Sequence, residues 1–132
     1  TWQQAYFDHD WGPGMQRYCA VRDGVLGPCR HLEPGQLVRH AYGLATATAG
    51  NGPGTGKRAV LFYLHARPQD VSDAVLNAHR AEIERFAALV AGDDVQFVHA
   101  TYDSLLTSWA GLGDRHLSAH VAALRAFFPG TI

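Results

Sequence analysis

The sequence predicts a single small α/β domain over residues 1–132, three-layer-like, with a mixed central sheet flanked by helices. Three observations carry this expectation. A length of 132 residues suits one domain with its own core. Only 17% of residues are charged, below the usual quarter, as in elements covered on both sides. From Pro34 onward, apolar runs at strand length alternate with stretches of helical period, the pattern of parallel strands joined by right-handed crossovers.

Residues 1–31 read as irregular. Gly12-Pro13-Gly14 is a turn cluster, and Asp23-Gly24 between Arg17–Val21 and Val25–Leu26 has the form of a hairpin. Pro34 then suits the first turn of a helix, where its missing N–H costs nothing. Leu37, Ala41, Leu44 and Thr48 follow at helical spacing, and the glycine-rich stretch from Gly50 ends the helix. Ala59–Leu64 is a continuous apolar run, expected as a strand buried on both faces and closed by Pro68.

A long helix is expected from Asp70 to Ala91, with Val75, His79, Ile83, Phe86 and Val90 as its stripe and Gly92 as its stop. Val95–Ala100 reads as a second short strand. Tyr102–Ala110 and Arg115–Phe128 read as helices, the latter with Leu117, Val121, Leu124 and Phe128 inward. Two strands do not make a stable sheet. Further strands are expected from residues 1–31, from a segment upstream of Thr1, or from another subunit.

A net charge of −1 gives no global attraction to nucleic acid or to anionic membrane, so any such contact needs a local patch. The longest apolar run is too short to span a bilayer, and no signal-peptide pattern appears. A cytosol-type protein without a membrane partner is expected. Cys19 and Cys29 form no Cys-x-x-Cys motif and are expected as reduced thiols.

Several residues invite a chemical reading beside a structural one. Gly50–Arg58 resembles a phosphate loop in composition but fails its pattern: Asn51 stands where glycine is needed, Arg58 follows Lys57, and a strand rather than a helix comes next. It is expected as a flexible connector. His116 and His120, spaced i and i+4, suit one helical face for a metal, yet equally suit a solvated surface. His79 is expected as a hydrogen-bonded core histidine, and Asp8-His9-Asp10 as a solvated loop that has the groups for a loose metal site. Gln36, Arg39 and His40 lie one turn apart beside the apolar stripe of their helix. Three such polar groups can hold phosphate or support a neighbouring catalytic site, or form a solvated edge.

The succession Gln36-Leu37-Val38-Arg39-His40-Ala41, the strand to His65, Ala78-His79-Arg80-Ala81-Glu82-Ile83 leading to Phe86, Val95-Gln96-Phe97 and Tyr102-Asp103-Ser104-Leu105 resembles the C-terminal half of restriction-endonuclease-like domains of the PD-(D/E)XK nuclease superfamily. The resemblance covers roughly residues 33–128. It implies a DNA-cleaving, Mg²⁺-dependent endonuclease whose metal is held by Asp and Glu-x-Lys and activates water. Gln36 would match a glutamine facing that active site, with His40 beside it as a catalytic residue. Arg39, Lys57 and Arg58 would be substrate contacts. No Glu-x-Lys occurs, and Lys57 is the sole lysine. The resemblance therefore implies catalytic strands upstream of Thr1 or an inactive relative. The other function class is a non-catalytic α/β interaction module, pairing with itself or a partner through a sheet edge or through a surface bearing Trp109, Phe127 and Phe128.

Overall fold

The computed structural model describes residues 4–8 and 10–129. It is a small α/β protein with six α-helices and a two-stranded parallel sheet, β1 (Val60–His65) beside β2 (Gln96–Thr101). The helices are α1 (Pro13–Val21), α2 (Asp23–Leu26), α3 (Pro34–Ala49), α4 (Asp73–Leu89), α5 (Tyr102–Ala110) and α6 (Arg115–Phe127). A short 3₁₀ turn spans Gln4–Tyr6. The chain divides into two compact units: residues 1–61 with 77–98, and residues 62–76 with 99–132.

In the first unit, the expected hairpin is replaced by α1 and α2. Met15, Tyr18 and Cys19 are buried at i, i+3 and i+4, a helical spacing that the flanking turn residues had masked. Pro13 opens α1, where a proline has no N–H to waste. The carboxylate of Asp93 accepts from the N–H groups of Gly14 (2.8 Å) and Met15 (2.9 Å). A residue far along the chain thus caps α1, which local sequence cannot reveal. Position 14 must be glycine, because a Cβ there would stand 2.1 Å from the Leu89 carbonyl oxygen.

α1 packs on α2 and α3. α3 begins at Pro34, as the sequence predicts, and buries Leu37, Val38 and Ala41. α4 contributes Ile83 and Phe86, both fully buried, and the Phe86 ring meets Phe97 of β2 edge-on at 5.0 Å. Trp11, Met15, Leu26, Leu32, Val90 and Val95 are among the other residues of this core.

The second unit holds the later part of each strand, the head of α4, and the helix pair α5–α6, whose buried residues are Leu106 and Val121. Both helices have a side-chain cap. Thr101 Oγ1 accepts from Ser104 N at 3.1 Å, and Asp114 accepts from His116 N at 2.8 Å and Leu117 N at 2.9 Å. Arg125 of α6 donates to Asp103 and Thr107 of α5, at 3.2 and 2.8 Å.

Three expectations about burial need correction. β1 is not covered on both faces: Leu61 is buried, but Val60 and Phe62 are 40% and 45% exposed. With only two strands among the described residues, one face of β1 lacks cover. Val75, expected in the stripe of α4, is exposed at the helix's head. Phe128 lies beyond α6 and is exposed rather than inward.

Candidate functional site

The first unit contains an open cleft of about 400 Å³ at the N-terminal ends of β1 and β2. Its floor is apolar, formed by Trp11, Ala59 and Val95, each nearly inaccessible to solvent. One wall is the last turns of α3, through Ala45, Thr48 and Ala49. The rim carries two cations, Lys57 and Arg58, and two carboxylates, Asp10 and Asp94, all four exposed. Among the described residues, the one ion pair is Arg125–Asp103, so none of these four charges is paired with another.

Local structure fixes the cationic side of the rim. Gly56 takes a left-handed φ of 73°, and its N–H donates to Thr48 O at 3.3 Å. Lys57 N donates to Gly54 O at 3.0 Å, and Thr55 Oγ1 donates to the carbonyls of Gly50 and Gly52. Gly54 lies so close to α3 that a Cβ would stand 2.7 Å from Ala47 O. The connector expected to be flexible is therefore a hydrogen-bonded turn folded back on the helix it follows.

The floor is held by an aromatic cluster. Trp11 Nε1 donates to Tyr6 O at 3.0 Å, its ring meets Tyr42 edge-on at 5.2 Å, and Tyr42 O–H donates to Ala5 O at 3.1 Å. Behind the acidic side, burial pushes the Asp93 carboxyl above its ordinary value. The Gly14 and Met15 N–H groups oppose that shift, while Asp94 and Asp10 reinforce it.

The residues singled out from sequence separate into two places. Lys57 and Arg58 line the cleft. Gln36, Arg39 and His40 are exposed on the N-terminal half of α3. At roughly 100° per residue, Ala45 and Ala49 stand on the side of α3 turned away from Gln36, so the trio does not enter the cleft. His116 and His120 are exposed on α6, and His9 lies outside the described residues. Among the described residues no group of three His, Cys, Asp or Glu side chains is arranged to hold a metal. Neither Cys19 nor Cys29 is in a disulfide; Cys19 is buried and its pKa is pushed up to about 11 by that burial.

Sequence reasoning missed the most specific polar constellation. Glu82, only 5% exposed on α4, accepts from the N–H groups of Arg30 (2.9 Å), His31 (2.8 Å) and Leu32 (2.8 Å). Burial raises its pKa, but these three bonds and nearby His31 outweigh burial and hold it below the ordinary carboxyl range. One turn on, Arg85 Nε donates to Leu26 O at 3.0 Å. α4 therefore grips the segment leading into α3 by both its carbonyls and its amides. His79, half-buried rather than fully in the core, is pushed below its ordinary value by that burial. The readable signal was an acidic residue adjoining the apolar stripe His79–Ile83–Phe86.

In the second unit, His65 and His99 stand on neighbouring strands with ring centroids 6.2 Å apart, and Tyr63 stacks at 5.7 Å from His65. No helix among the described residues is long and apolar enough to cross a membrane. Protein-family models, curated proteins and solved structures compared with the chain give no match.

Proposed function

We propose that this chain is part of a nucleic-acid-acting α/β domain of the restriction-endonuclease-like, PD-(D/E)XK kind, and that cleavage needs strands carrying the Asp and Glu-x-Lys ligands absent from it. The observation that carries the reading is the parallel β1–α4–β2 unit preceded by α3. This order matches the resemblance over residues 33–128, and its two-stranded sheet calls for further strands. Lys57 and Arg58, on one cleft rim, supply the local cationic patch that a chain of net charge −1 needs to meet phosphate.

In this reading Mg²⁺ is held by the added strands and supplies the activated water. The residues present here act on substrate alone: Arg39, Lys57 and Arg58 contact phosphate, while Gln36 and His40 border the metal-bearing strands. The chain by itself binds DNA weakly and with steep salt dependence, and does not cut it. A longer chain that carries such strands is expected to cut DNA with Mg²⁺, and Gln36→Ala to slow it about tenfold. Absence of cleavage by that longer chain with Mg²⁺ or Mn²⁺ removes the nuclease reading.

A second reading has its own observation. Val60 and Phe62 lie exposed on one face of β1, and Phe127 is 78% exposed near the C-terminus. Such surfaces serve a self-associating or partner-binding module without catalysis. Sedimentation equilibrium tests the self-associating form. A monomer that stays monomeric at high concentration rules out self-association.

A further inference from the structure

We propose that the cleft before β1 and β2 is a mononucleotide site. Lys57 and Arg58 hold the phosphate, and Asp10 and Asp94 accept hydrogen bonds from the amine groups of the base. The choice of ligand rests on the nucleic-acid reading above; the site itself rests on geometry.

A volume of about 400 Å³ lies within the range of small-molecule pockets. Charges of both signs share its rim without pairing with one another among the described residues, so the cleft suits a ligand with an anionic end and a donor end. The accessible apolar wall of Ala45 and Ala49 suits an organic ring between those ends better than a hydrated metal–phosphate pair. The cationic rim is also built in place. The Gly56 N–H bond to Thr48 O and the Lys57 N–H bond to Gly54 O fix where Lys57 and Arg58 leave the turn.

Ionised carboxylates are acceptors only. They favour the exocyclic amines of adenine, cytosine and guanine. Thymine's one ring N–H is flanked by two carbonyls that repel them. The site therefore ranks nucleotides by base, which a bare cationic patch does not do.

The test is titration of the ¹⁵N-labelled chain with dAMP, dCMP, dGMP and TMP, following amide shifts. Shifts centred on residues 56–59 and 94–95 are expected, with TMP binding at least threefold more weakly than dCMP. Lys57→Glu with Arg58→Glu weakens all four nucleotides about tenfold. Asp94→Asn with Asp10→Asn erases the preference over TMP while phosphate-end shifts remain. All four positions are exposed, and an unchanged spectrum elsewhere verifies each variant's fold. The inference is overturned by no shift at those amides with millimolar nucleotide, by inorganic phosphate binding as tightly as dCMP, or by free leucine outcompeting dCMP. The two proposals fail separately. Nucleotide binding by a chain whose full gene product never cuts DNA removes only the nuclease reading.

Discussion

Glu82 shows how much one side chain can organise. Three backbone donors converge on a carboxylate that is nearly inaccessible to water, and charge-assisted bonds of that kind are individually strong. Glu82→Gln keeps the shape but loses the charge and half the acceptor capacity. It should cost about 2 kcal/mol at neutral pH by urea denaturation; a variant as stable as the parent would show the three bonds to be incidental. The pH dependence follows from sign. Glu82 titrates below its ordinary 4.5 in the fold, so its stabilisation is complete above 4.5 and is lost as pH falls through the lower folded value. His79 also titrates below its ordinary 6.5, so the fold favours its neutral form and loses stability as pH drops from 6.5 toward the folded value. Asp93 runs the other way. Burial raises its pKa above 3.8, so stability is regained as pH falls through that raised value. Melting temperatures should therefore decline in two steps below pH 6.5, and Glu82→Gln should flatten the lower one.

The elements from α3 onward were legible in the sequence because their signals are local: Pro34 in a first turn, Gly92 after a stripe. α1 was not, since its N-terminus is satisfied by Asp93 rather than by a neighbour. Gly14 likewise reads as a turn residue, whereas its role is to let α1 touch the end of α4. Gly14→Ala should lower stability by about 2–3 kcal/mol despite alanine's better helix propensity, because the Leu89 carbonyl leaves no room. A melt that rises would contradict that close approach. Asp114→Ala should cost about 1 kcal/mol through the two amides it leaves uncapped, with faster hydrogen exchange confined to the start of α6.

At the level of the molecule, the core is unevenly shared. Among the described residues, Leu106 and Val121 are the only buried apolar side chains of the second unit, and the remainder belong to the first. Regions poor in buried apolar contacts open at lower free energy. Hydrogen exchange should therefore be faster across α5 and α6 than across α3 and the part of α4 bearing Ile83 and Phe86; equal protection would overturn this. The sequence disclosed the α/β alternation. It offered Lys57 and Arg58 as substrate contacts and Asp10 in an acidic loop, but not their meeting with Asp94 at one cleft, because these residues come together only through the fold. Periodicity reports which face of an element is apolar. It does not report which distant loops meet.

Trp11 belongs at once to the hydrophobic interior and to the cleft floor, with its indole N–H engaged by Tyr6 and its ring against Tyr42. That dual position makes it a built-in optical gauge. Its emission colour reads the integrity of the aromatic cluster, while quenching without a colour change reads occupancy above it. Replacing Trp109 by phenylalanine would reduce the competing signal from the chain's other indoles, so that one fluorimeter trace could separate filling from unfolding.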